Sequence, residues 1–201
     1  MKHLVIEGGD NLGKDTLING IREQFKPHNW IERHFGKPPK GMSPKETLDF
    51  QFDVFYKEML FRDYLRDDID GDDWGYYDNI LLWNRSHLGE FVYSQMFRGI
   101  TKREIKEKIR LFEQRTLNSD MHLITLTASP RFFLSKEDGD SFSQNLEQKT
   151  RELELFKEAH NLSIIPHKKL IKVDSGIQFK PKELILKEVI EFIENGKEKE
   201  I

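Results

Sequence analysis

Residues 4–16 read Leu-Val-Ile-Glu-Gly-Gly-Asp-Asn-Leu-Gly-Lys-Asp-Thr, an apolar run that passes through a Gly-x-x-x-x-Gly-Lys spacing into a helical pattern. Gly8, Gly9 and Gly13 free the backbone around Asn11 and Leu12 so that successive N–H groups can turn toward a single point. Lys14 heads the helical pattern, where its ammonium adds to the positive end of the helix dipole. A strand, a glycine loop and a lysine-headed helix in this order form a cradle for the phosphates of a nucleoside triphosphate, with ATP the expected donor. In such loops the residue after the lysine is ordinarily Ser or Thr, whose hydroxyl ligates Mg²⁺. Here that residue is Asp15, and the hydroxyl follows one place later at Thr16. Both are assigned to the Mg²⁺ side of the site.

Five β-rich segments are expected to position this loop: Leu4 to Glu7, Trp30 to Phe35, Asn79 to Trp83, His122 to Thr127 and Leu170 to Val173. They alternate with amphipathic patterns over Lys14 to Phe25, Glu46 to Arg66, Ser86 to Arg98, Lys102 to Leu117, Asn145 to His160 and Pro181 to Glu194. Alternation of strand and helix predicts an α/β fold, three layers deep, with a five-stranded parallel sheet flanked by helices. In the second helix Leu48, Phe52, Phe55, Tyr56, Met59, Leu60 and Tyr64 recur at helical spacing and are expected to be core. The acidic run over residues 66–73 lacks the terminal glutamate of an EF-hand and reads as a solvated turn.

The 201 residues fit one domain over residues 1–195, with a frayed Lys/Glu-rich tail over 196–201. A formal net charge of −3 gives no simple electrostatic case for DNA or membrane binding, while leaving room for a local basic groove. The absence of cysteine excludes disulfides, thiol catalysis and thiolate zinc sites. With no apolar leader or spanning segment, the expected location is cytoplasmic, or the host cytoplasm if the source is viral.

The stretch Glu7-Gly8-Gly9-Asp10-x-x-Gly13-Lys14 resembles the thymidylate kinase form of the phosphate loop, in which the strand ends in Glu-Gly and an Asp sits two residues after that glycine. The resemblance implies a P-loop kinase fold and assigns Asp10 to the sugar hydroxyl of the acceptor nucleotide, the alternative being a loop-capping aspartate. The spelling Gly-Lys-Asp-Thr is also similar to some phage deoxynucleoside monophosphate kinases. A second anchor, Leu81-Leu82-Trp83-Asn84-Arg85-Ser86-His87, is similar to the Asp-Arg-Tyr/His triplet of thymidylate kinases and the Glu-Arg-Ser triplet of deoxynucleoside kinases. Arg85 is thereby expected to bridge donor and acceptor phosphates, its competing reading being a surface pair with Glu90. The acid that opens the family's triplet is missing, since Asn84 stands in its place. If Asn84 and Asp15 face the same phosphate region, the carboxylate has moved across the site.

The turn over residues 33–41, with Arg33, Lys37 and Lys40, falls where the resemblance places the acceptor monophosphate, and Arg62 is a further candidate. Phe52, Tyr56 and Tyr93 are expected around the acceptor base. The segment 130–145 corresponds to a lid that closes over the triphosphate, with Arg131, Lys136 and Arg151 as candidate cations. The resemblance implies transfer of the ATP γ-phosphoryl to a deoxynucleoside monophosphate, dTMP or a related pyrimidine nucleotide, and a possible homodimer. Two other readings stay open. One is a kinase acting on a hydroxyl, of a deoxynucleoside or of a hydroxymethylated base in DNA, which makes nucleic acid a possible partner. Its base would have to come from Asp53 or Glu90, because the second strand ends in His34-Phe35-Gly36 without an acid. The other is a nucleotide-binding module without turnover, favoured by Asn84.

Overall fold

The computed structural model describes residues 2–26, 28–36, 38–67, 79–116 and 120–195, with the backbone alone at 65–67. Within them run β1 (Lys2–Glu7), α1 (Lys14–Gln24), β2 (Asn29–His34), α2 (Pro44–Asp67), β3 (Asn79–Asn84), α3 (His87–Phe97), α4 (Lys102–Thr116), β4 (Met121–Thr127), α5 (Pro130–Leu134), α6 (Leu146–Leu162), β5 (His167–Lys172) and α7 (Lys182–Asn195). The strands form one all-parallel sheet in the order β2-β3-β1-β4-β5. Period-two alternation splits the core between the two faces. Leu4, Ile6, Ile80 and Leu82 pack with α1 and α7, whereas Val5, Leu81 and Trp83 pack with α2, α3 and α4. The inner strands are buried almost end to end, as both covered faces require, and the edge strands β2 and β5 carry the charged and half-exposed positions.

The expected α/β architecture is present, and the N-termini of several helices follow local chemistry. Ser86 caps α3 by accepting from the Leu88 amide, and Asn145 caps α6 by accepting from Gln148. Two expectations need correction. Residues 130–134 are not lid but a short helix opened by Pro130, whose Phe132 and Phe133 are buried in the core beside α1. On α2, Leu48, Phe52, Phe55 and Met59 are buried as expected, but Leu60 and Tyr64 are 69% and 61% exposed because they fall off the i, i+3, i+4 stripe, which continues instead to the buried Arg62. The acidic stretch from residue 68 onward and the tail over 196–201 lie outside the described residues. No helix among the described residues is long and apolar enough to cross a membrane.

Candidate active site

In an open parallel sheet, ligands bind beyond the carboxyl ends of the strands where the order reverses. Here β1 lies between β3 and β4, and the loop after it turns directly into α1. Gly8 and Gly13 have φ of 136° and 86°, and Asn11 also takes a left-handed φ of 62°. Gly9 is required for a different reason: a Cβ there would lie 2.3 Å from the Phe133 ring and 3.1 Å from Glu152 Oε1. The phosphate loop therefore rests directly on α5 and α6.

Lys14 is buried, and its Nζ donates to the carbonyls of Gly8 at 2.8 Å and Gly9 at 2.7 Å, with Asp10 Oδ1 3.9 Å away. Burial lowers its pKa, and the Asp10 charge works against that shift. Arg85 follows β3 with φ of 71°, held by its amide donating to Ile6 at 2.9 Å. That left-handed turn brings the guanidinium back over the loop, where it pairs with Asp10 at 2.5 Å. Glu90 is engaged by Ser94 and Arg98, so the alternative pairing with Arg85 is not formed.

Glu7 braces this turn from below. Its Oε1 accepts from the Ser86 hydroxyl at 2.5 Å and from the Gly89 amide at 3.2 Å, joining the end of β1 to the start of α3. Burial raises the Glu7 pKa against those hydrogen bonds. Sequence reasoning assigned Glu7 no such role; its signal is a buried-type acid closing an otherwise apolar strand.

A cavity of about 1310 Å³ opens over the loop. It is lined by residues 10–17, by Asn84 and Arg85, by Lys136, and by Phe179 and Lys180 from the segment before α7. Phe179 was not anticipated. It lies 3.9 Å from where Gly13 would carry a Cβ, edge-on to Phe132 at 4.8 Å, and Lys136 Nζ lies 5.4 Å from its ring centroid. Asp174 holds the turn that presents it, accepting from the Ser129 amide at 2.9 Å, the Ser129 hydroxyl at 2.7 Å and the Gly176 amide at 2.8 Å. These bonds hold the Asp174 carboxyl below its usual range although its burial works the other way. An isolated aromatic in a polar connection is the one signal that marked Phe179.

The segment after α5 is tied to the site from two sides. Asn11 Nδ2 donates to the Lys136 carbonyl at 3.1 Å. From α6, Lys149 reaches Glu137 at 2.5 Å and Ser141 at 3.0 Å over the face of Phe133, and Glu152 accepts from Ser143 and from Tyr93 at 3.1 Å. Lys149 and Glu152 are buried, charged, and three residues apart on one helix face. Their legible signal was a pair of charges beside the apolar positions Leu153 and Phe156.

The remaining sequence candidates divide. Asp15 and Thr16 open into the cavity from the first turn of α1 and offer the oxygen donors a hard divalent cation takes, so they fit Mg²⁺. Tyr93 is half-buried, bonded to Glu152 and close enough to Asp10 and Arg85 to feel their charges, and loss of solvent with the Glu152 charge raises its pKa well above the ordinary value. Arg62 corrects the expectation: it is 2% exposed, pairs with Asp63 and reaches Met121 at the opposite end of the sheet. Phe52 is core, and Tyr56 packs on Phe112. Arg131 faces outward into a shallow depression with Leu146 and Thr150, away from the loop, and Arg151 pairs with Glu154 on the α6 surface. Arg33 is taken by Glu58, and Lys37 lies outside the described residues. Of the three cations expected on the lid segment, Lys136 lines the cavity and Arg131 and Arg151 do not.

No protein-family model matches the sequence, and no curated protein matches it. Solved structures do. The YorR protein from Bacillus subtilis, determined in complex with phosphorylated GDP, is similar with a TM-score of 0.62 and 18% identity, over 97% of each chain. Thymidylate kinase from Candida albicans is similar with a TM-score of 0.64 and 14% identity, over 97% of this chain and 92% of the other. At these identities the likeness is one of architecture: the chain shares the fold of these two structures, one of them a thymidylate kinase.

Proposed function

We propose that this protein is an ATP-dependent nucleotide kinase that transfers the γ-phosphoryl group to a deoxynucleoside monophosphate, dTMP or a related pyrimidine nucleotide. The observation that carries the reading is the Arg85–Asp10 pair set 2.5 Å apart over the phosphate loop. A forked cation over the loop suits the bridging of a donor and an acceptor phosphate, which supports the reading. Asp10, oriented by that cation, is available to an acceptor sugar hydroxyl. The loop amides of Asn11, Leu12 and Gly13 with Lys14 would hold the triphosphate, and Lys136 adds charge from the lid side. Mg²⁺, when bound with the triphosphate, neutralises charge on the phosphoryl being transferred; Asp15 and Thr16 would hold it.

Ionisation separates the two kinds of acceptor. A phosphate acceptor is already anionic and needs positioning, whereas a hydroxyl acceptor needs a base. Of the two acids that could serve as that base, Asp53 is exposed on α2 outside the cavity lining, and Glu90 is held by Ser94 and Arg98. Neither supplies a free carboxylate there. The test is incubation with γ-labelled ATP and Mg²⁺, offering deoxynucleoside monophosphates, deoxynucleosides and hydroxymethylated DNA separately, with Lys14→Ala as control. Label in a diphosphate supports the reading. Label in a nucleoside or in DNA assigns the protein to hydroxyl phosphorylation, and ATP binding without transfer to any acceptor assigns it to nucleotide sensing.

A further inference from the structure

The first turn of α1 and the last residue of β3 meet at the phosphate end of the cavity. Asn84 Nδ2 donates to Asp15 Oδ1 at 2.9 Å, from residues 69 apart in the chain. Asn84 is 2% exposed, and its Oδ1 is buried without a partner. The amide orientation follows from the bond, because a flipped amide would bring two acceptors face to face. Asp15 stands open to the cavity, and among the described residues no cation pairs with it. The nearby ammonium of Lys14 is turned to the carbonyls of Gly8 and Gly9.

Phosphate-loop NTPases generally hold Mg²⁺ with a neutral hydroxyl from the loop and an acid from a neighbouring strand. In this chain the loop side carries the acid and the strand side carries a neutral amide. We infer that Asp15 is the carboxylate ligand for the divalent cation of the bound nucleotide and that Asn84 is the positioning residue that orients it. The inference rests on the nucleotide kinase reading and deepens it. Asn84 is then no lost acid. A carboxylate at position 84 would sit against Asp15 at hydrogen-bond distance, and two anions there would repel unless a cation lay between them. One oxygen of Asp15 is occupied by the amide, which leaves the other to the cation. The same negative charge faces the nucleotide phosphates when no cation is present.

That last point supplies a readout independent of turnover. ADP affinity is measured by calorimetry in EDTA and in Mn²⁺ for the wild type, Asp15→Asn, Asp15→Thr, Asn84→Asp and the double variant Asp15→Thr with Asn84→Asp. In Asp15→Asn the strengthening of ADP binding by Mn²⁺ falls at least tenfold, and binding in EDTA becomes tighter. Asn84→Asp melts at a lower temperature in EDTA and recovers in Mn²⁺. The double variant regains the Mn²⁺ effect to within about threefold of wild type. An unchanged Mn²⁺ effect in Asp15→Asn, or a double variant no better than Asp15→Thr, overturns the inference while leaving the kinase reading intact. A wild-type protein that binds no ADP in either buffer overturns both.

Discussion

Replacing Gly9 by alanine tests whether the phosphate loop is shaped by what lies beneath it. A Cβ built there sits 2.3 Å from Phe133 Cζ, 2.9 Å from Cε1 and 3.1 Å from Glu152 Oε1. Carbon atoms in contact prefer about 3.5–4.0 Å, so loop or ring must move by more than 1 Å. Phe133 is fully buried and carries the Lys149 ammonium 4.1 Å over its face, so it has nowhere to retreat. Overpacking of this kind costs about 1–3 kcal/mol, equivalent to a fall of roughly 2–12 °C in Tm for a chain of this size. The loop must rise toward the phosphates, and ADP affinity should fall at least tenfold. Gly36→Ala is the control: it is exposed and a Cβ there meets nothing within 4 Å. Urea denaturation and ADP titration of the two variants give both numbers. A Gly9→Ala protein within about 0.5 kcal/mol of wild type, with unchanged ADP affinity, would refute the packing argument.

Arg85→Ala should lower kcat/KM by about 10²–10³, as for loss of a donor that meets developing charge, with Arg85→Lys recovering only part because a point charge cannot fork. Steady-state kinetics against the proposed acceptor check this, and circular dichroism should show the fold intact. Lys149→Met strands Glu137, whose carboxyl the Lys149 and Ser141 bonds hold down to about 2. Glu137 is only partly buried and keeps its bonds from Ser141 and Gly139, so the loss is about 1–3 kcal/mol. Faster amide exchange over residues 135–145 should accompany the loss in urea stability. His3 is buried with both ring nitrogens unpartnered against Trp83, and burial lowers its pKa well below the ordinary value; burial likewise lowers His122 to about 4. The unfolded chain takes up those protons near pH 6.5 and the folded chain does not, so stability present above pH 6.5 declines as pH falls toward 5.5. The slope from His3 approaches about 1.4 kcal/mol per pH unit. His3→Phe should flatten that slope in denaturation curves at pH 7.5, 6.5 and 5.5, and an unaltered slope counts against this account.

The sequence alone determined the layers and the loop. Strand and helix periods, the glycine spacing and Lys14 are local signals, because each depends on backbone geometry within a few residues. They were enough to place β1, α1 and the parallel sheet and to single out Asp15 after Lys14, while Asp10 and Arg85 were nominated by the resemblance to thymidylate kinases. The inner strands read clearly since both faces are apolar. β5 was harder, and it begins three residues earlier than expected, at His167, because an edge strand tolerates the charges of Lys168 and Lys169. Only the tertiary structure decided which candidates meet. Asp15 and Asn84 come together through strand order rather than spacing. Arg62 and Tyr93 were equally good candidates as letters, yet one lies at the far end of the sheet and the other close to Asp10. Whether Gly9 serves the phosphates or Phe133, and whether residues 130–134 form a flap or a piece of core, depended on packing between distant segments. Such packing is a property of surfaces brought together, and no pattern within a single segment records it.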